Sequence, residues 1–529
     1  MVKFEGKNIA GKPIITYTPR GSKRYSSDDI GNYLSKFKLC DALKLIGELS
    51  YKISLDKKIY LMRNTPVTNS ILAYLAMRLI ERSNDYRSKD MTLGNLVTAV
   101  DMFFGLPELT EKYGYINPQG SFIRLGSSQF DYERENHYLL PRALILYGEL
   151  WNKFNKNQVD INKALHDISG LSLEEILVLG GFFTGFSEQG YFWLDKDLEV
   201  HPDITKGYYE LDKQKAFVNW ISCSYSEFRI QLKDALLKES EYEKFRFNPL
   251  VLNPVIIPDR NVRVGFPQAC ITPIPILMYE RITRGLYFSL SDYFRNGKSN
   301  PFRATFGIVF QEYVGLLLKK TFGEDNVKSE WRYGFKKHPK DTPDWFVVQN
   351  GLAVLIEVKQ SGLYLKAKQF GELEDIHKDL KQTIGSGVNQ MWEFENDIEN
   401  GLCEVPDWVK SIKITERLVI TYDRPYFLNS ILSDEVRYLY PMIPKTYHWH
   451  TLAVEELEYF LGIVGTNFIE ALTEKRDSPD SDCMDFRDYY SRKFSQDKCK
   501  NPYLESVLSK FVNDHSVQNR NLSIRNKNL

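Results

Sequence analysis

The 529-residue sequence carries no net charge, because 69 Lys and Arg balance 69 Asp and Glu. That excludes a uniformly basic coat for nucleic acid, while leaving room for a local basic groove. Cysteine is scarce: the six residues (Cys40, Cys223, Cys270, Cys403, Cys483 and Cys499) contain no C-x-x-C pair. Such spacing argues against a thiolate zinc site and against a disulfide framework. No stretch reaches the roughly 18 uncharged apolar residues of a membrane helix. The opening MVKFEGKNIAGKPIITYTPRGSKRY lacks the apolar segment of a signal peptide. A cytoplasmic chain without membrane contact is therefore expected. There is no G-x-x-x-x-G-K-[ST] loop, no G-x-G-x-x-G after a strand and no G-x-S-x-G elbow. ATP-driven translocation is accordingly not encoded. No repeat of fixed period supports a solenoid.

With 43% hydrophobic residues the chain is globular, and its length predicts two or three domains. The first 24 residues are polar and basic, and a frayed or β-edge start is preferred there over a phosphate-binding arm. From about residue 27 the pattern is helical, with Thr68 before NSILAYLAMRLIERS as an N-cap. Residues 1–240 are expected to form an all-helical recognition or partner region. Pro249, Pro254, Pro258, Pro267, Pro273 and Pro275 then block long helices. Residues 241–300 are read as a proline-rich connector packed between two domains, with short strands at most, followed by a linking helix. Between 301 and 480, helix and strand alternate, which predicts a mixed sheet flanked by helices. Residues 481–529 are polar and are expected to be a tail. The fold class is thus α+β multidomain: an all-helical N-terminal region followed by a mixed α/β domain.

The chemistry is concentrated in TPDWFVVQNGLAVLIEVKQSG. Asn350-Gly351 is a strong hairpin signal, since both turn positions need positive φ. A two-residue turn there sets Asp344 directly opposite Glu357, with Cβ atoms about 4.5–5.5 Å apart. Lys359 points to the same face, and Val358 points to the opposite core. Two carboxylates this close repel unless one is protonated or a cation lies between them. A hard divalent ion suits the oxygen donors, Mg²⁺ best and Mn²⁺ as its substitute. Lys359 beside it could orient or deprotonate a water, or neutralise charge on a phosphate. The plainer reading is a solvated salt-bridge network. Against that, Glu357 and Lys359 end LAVLIEV, a run apolar enough for a central strand.

Pro343-Asp344 followed by Glu357-Val358-Lys359, on a helix–strand–hairpin–helix order, resembles the PD-(D/E)xK (restriction-endonuclease-like) nuclease superfamily. The resemblance covers about residues 301–465. It implies a metal-dependent nuclease hydrolysing phosphodiester bonds, with DNA favoured over RNA. Asp344, Glu357 and the Val358 carbonyl would hold Mg²⁺ or Mn²⁺, and Lys359 would assist water attack. Relatives carry an acid on the preceding helix in an F-E-x-Y-V frame. Here Phe310-Gln311-Glu312-Tyr313-Val314 offers Glu312 as a further ligand, one place removed and about 100° round the helix. RecB-like members add a Gln on the helix after the sheet, which favours Gln390 over Gln382. Lys378 and Lys381 on that helix are candidate phosphate contacts, and Glu330 is a candidate outer carboxylate. His448 and His450 lack a third ligand nearby in sequence and are set aside as a metal site. A recognition region fused to such a nuclease resembles bacterial anti-phage defence and mobile-element proteins, with a protein partner on the helical part. The alternative is a catalytically silent nucleic-acid-binding or scaffold module on the same fold.

Overall fold

The computed structural model describes residues 2–7, 13–17, 24–55, 60–62, 65–106, 120, 123, 137–155, 159–194, 207–234, 247–258, 269–297, 299–334, 339–402, 404–424, 429–478, 484, 486–493 and 500–525. One five-stranded sheet organises the second half. Its strands are β1 (Val327–Ser329), β2 (Trp345–Gln349), β3 (Leu352–Lys359), β4 (Lys413–Thr421) and β5 (His450–Ala453), adjacent in that order. β1, β2 and β3 form an antiparallel meander, whereas β4 and β5 run parallel to β3. Parallel neighbours need long crossovers. Helices α2 (Leu373–Gln382) and α3 (Ile384–Glu399) supply the first, and α4 (Asn429–Leu439) the second.

Alternation along the strands builds two cores. Trp345, Val347, Val354 and Ile356 pack with Val309, Phe310 and Tyr313 of α1 (Pro301–Phe322), the helix that precedes the sheet. Phe346, Leu355 and Val419 face the other way, onto Ile384, Val388 and Met391 of α3. Each fully buried side chain of this size contributes about 1.5–3 kcal/mol. A one-residue slip would turn all of them to the wrong side, so the register is firmly set. The helix Pro301–Phe322 is capped by Asn300, whose Oδ1 accepts from Arg303 N–H at 3.2 Å, and has Pro301 in its first turn. It ends at Gly323, where φ is +86°. The stretch from Glu374 to Asn400 is two helices, not one continuous run. Thr383 interrupts it, with its Oγ1 donating to the Gly362 and Asp379 carbonyls at 2.9 and 2.8 Å.

The first 240 residues are mainly helical, but the all-helical expectation is wrong. Val2–Lys7 pairs with Pro13–Tyr17, and Tyr60–Met62 pairs with Thr65–Val67. Tyr191–Trp193 and Ser222–Ser224 join Ala269–Ile271 and Val255–Ile257 in a four-stranded sheet. The proline-rich segment is thus built into the packing of the first half. Proline is compatible with strands this short because their ends need few ladder hydrogen bonds.

Packing also continues across residue 240. A single apolar cluster contains Leu146 and Trp151, then Phe302 and Phe306, then Phe460 and Leu504. At this seam Arg142 donates from Nε and Nη2 to the two Glu458 oxygens at 2.7 and 2.6 Å. Tyr313 Oη donates to Glu458 Oε1 at 2.6 Å. Glu458 lies on α5 (Val454–Val464), which follows β5 directly. The polar tail is corrected too: Phe486, Tyr489, Tyr490 and Leu504 are buried, and Asn501 N–H donates to Tyr138 Oη at 2.7 Å. Its polarity belongs to the outer faces of helices whose few apolar residues are enough to dock them. Among the described residues no single helix is long and apolar enough to cross a membrane.

Candidate active site

The turn between β2 and β3 has positive φ at both positions, 52° at Asn350 and 77° at Gly351. Gln349 pairs with Leu352, and the register runs without a shift to Trp345 opposite Ile356. The next rung sets Asp344 across from Glu357, on the face of Phe346 and Leu355. Asp344 Oδ2 accepts the Val358 N–H at 2.6 Å. Lys359 Nζ donates to Glu357 Oε1 at 2.7 Å. Asp344 and Glu357 are only 8% and 2% exposed. Glu357 Oε2 is buried and has no hydrogen-bond partner among the described residues.

The electrostatics follow from that burial. Desolvation, then the facing Glu357 charge, pushes the Asp344 carboxyl well above the ordinary carboxylate range. Desolvation likewise raises Glu357, against the pull of Lys359. Burial draws the Lys359 ammonium down, but Glu357 and Asp344 outweigh it and the net shift is upward. Lys359 is therefore a firmly protonated donor. With both carboxyls ionised, the single ammonium would leave one negative charge in excess in a desolvated site, and the raised values are the response: the pair draws in a proton or a cation.

Helix α3 closes on this group through a glycine. A Cβ at Gly387 would stand 2.9 Å from Glu357 Cγ and 3.2 Å from Lys359 Cε, so this helix approaches as closely as it does only without a side chain there. One turn on, Gln390 Nε2 donates to the Thr342 carbonyl at 3.0 Å. Gln390 thus comes to the site, but this amide N–H is spent on the strand backbone two residues before Asp344.

The preceding helix contributes through Gln311, a residue the sequence passed over. Gln311 Nε2 donates to Glu330 Oε1 at 3.0 Å, and the Glu330 N–H donates to the Asp344 carbonyl at 2.9 Å. The Glu330 charge further raises both Asp344 and Glu357. The F-E-x-Y-V frame was the available signal, because it points to position 311. The acid the sequence offers, Glu312, is half-buried one residue further round the helix. Lys378, Lys381 and Gln382 are exposed on α2, and His448 is exposed as well. His450 is buried, 3.6 Å from Glu416 and edge-on to Phe486.

Hard oxygen donors, excess negative charge and an orphaned carboxylate oxygen suit a divalent cation such as Mg²⁺ or Mn²⁺. The set is small. Among the described residues no group of three or more His, Cys, Asp or Glu side chains converges as metal ligands. Comparison with protein-family models, curated proteins and solved structures finds no match.

Proposed function

We propose that the protein is a metal-dependent nuclease that hydrolyses phosphodiester bonds, with DNA the first substrate to test and RNA the second. The observation that carries this reading is the incompletely compensated charge of Asp344 and Glu357, side by side at the end of the β2–β3 pair, with Glu357 Oε2 unpartnered among the described residues. A cluster kept only for stability would be expected to be balanced or replaced by apolar residues, since buried charge is costly.

Asp344, Glu357 and the Val358 carbonyl would hold Mg²⁺ or Mn²⁺. When bound, the ion would lower the pKa of a water and offset charge on the phosphate. Lys359 keeps its proton, so it does not serve as the general base. Its Nζ, fixed by Glu357 Oε1, is available to donate to a phosphate oxygen as negative charge develops. Gln390 holds the strand before Asp344, and Gln311 holds Glu330, so both act on the position of the carboxylates.

Plasmid, linear duplex, single-stranded DNA and RNA should be incubated with and without Mg²⁺, using the parent protein and Asp344→Asn. Metal-dependent cleavage lost in the variant is the expected result. Metal-independent cleavage, or cleavage retained in Asp344→Asn, would overturn the reading. Binding of Mn²⁺ and nucleic acid with no cleavage of any substrate would return the silent module. Gln311 in the acid's position and a set of only two carboxylates are the features that favour that second reading.

A further inference from the structure

A second unbalanced charge, of opposite sign, lies in the helical half. Arg281, on the helix Ile276–Ile282, is 8% exposed. Its guanidinium carbon stands 4.6 Å over the ring of Trp220, on the helix Leu211–Ile221. Nη1 donates to Ser289 Oγ and, at 3.4 Å, to the Gly285 carbonyl. Among the described residues, the buried Arg281 Nε and the buried Trp220 Nε1 have no hydrogen-bond partner. Neighbouring Glu280 lies 3.1 Å from Arg284 Nε, four residues on and just past the end of its helix. Burial alone, with no carboxylate offsetting it, lowers the Arg281 guanidinium to about 10, so it is still charged at neutral pH.

Stacking on an indole recovers part of the cost of burying a cation, but it satisfies neither N–H. A tetrahedral oxyanion would supply acceptors for both and cancel the charge at once. We propose that Arg281 and Trp220 form a binding site for a small phosphate-type oxyanion, separate from the Asp344–Glu357–Lys359 group and independent of the nuclease reading.

The test uses the full chain in phosphate- and sulfate-free buffer, titrated calorimetrically with inorganic phosphate and, in a second arm, with AMP. Parent protein should bind at least one of them, and its Tm should rise with that ligand. Tighter binding of AMP would assign the phosphate to a nucleotide, and equal or tighter binding of phosphate would assign the free ion. Arg281→Met keeps the side-chain volume and should weaken binding about a hundredfold. Trp220→Phe keeps the ring, removes one donor and should weaken it about tenfold. Mn²⁺ affinity should be unchanged in both. Without anion, Arg281→Met should be no less stable than the parent, because it removes an uncompensated charge. The proposal is overturned if neither ligand binds the parent, or if Arg281→Met binds as the parent does. It is also overturned if Arg281→Met loses as much Tm without phosphate as with it. Should Arg281→Met not fold, unchanged affinity in Trp220→Phe is the overturning result.

Discussion

Two buried charge clusters in this molecule look alike in composition and differ in balance. At the seam, Arg142 meets Glu458 through two parallel hydrogen bonds, and Tyr313 takes up a further lone pair. One positive and one negative charge cancel, and the cluster joins the first half of the chain to the helices around the sheet. At the end of β3, Asp344, Glu357 and Lys359 do not cancel, and Glu357 Oε2 is left over. Balance marks an arrangement complete in itself. Imbalance in a desolvated place marks one that awaits a cation or a proton.

The largest expected effect breaks the balanced cluster. Glu458→Ala leaves Arg142 buried and unpaired and should cost about 3–5 kcal/mol in denaturant unfolding. A loss under about 1 kcal/mol would mean that the seam is held by apolar packing alone. Next, Lys359→Met should lower turnover about 10²–10³-fold, the usual loss for one donor aimed at developing charge. Folding and Mn²⁺ affinity should stay close to the parent's, as circular dichroism and calorimetry would show, because a protonated amine is no ligand.

A smaller change probes the fit around the unbalanced group. Gly387→Ala should destabilise by about 1–3 kcal/mol through overpacking. It should also weaken Mn²⁺ binding, since the new methyl strikes Glu357 Cγ. Unchanged stability would show that α3 can retreat.

The smallest effect has the opposite sign from the first. In chelator, Asp344→Asn removes the excess charge, keeps an acceptor for the Val358 N–H and should be about 1 kcal/mol more stable than the parent at neutral pH. The pH dependence follows from the same imbalance. Asp344 and Glu357 have folded values raised above the ordinary 3.8 and 4.5. Above those ordinary values the native state holds more protons than the unfolded state, so metal-free stability falls as pH rises. The fall continues until pH passes the raised folded values. Melting curves in chelator should show that slope in the parent and a flatter one in Asp344→Asn. A slope of the other sign would remove the imbalance on which the contrast rests.

The hairpin was legible because its determinants are local. Asn350-Gly351 fixes the turn, a period of two fixes the faces, and together they put Asp344, Glu357 and Lys359 on one face. Gly323 marked the end of its helix for the same reason. The break at Thr383 was not legible, because it depends on hydrogen bonds to Gly362, distant in sequence. Nor was the role of Gln311, which contacts Glu330 across the end of the sheet.

By itself, then, the sequence determined the β2–β3 register, the alternation of helix and strand after residue 301, and the identity of the three charged residues at the centre of the site. Tertiary structure alone decided that the short strands of the proline-rich segment pair with residues 191–193 and 222–224, and that the tail returns to Tyr138. It also decided which buried charges are balanced. Short-range geometry repeats with the period of the backbone and can be read from neighbours in the chain. Charge balance and core continuity depend on which distant residues share a low-dielectric space, and no local pattern encodes that.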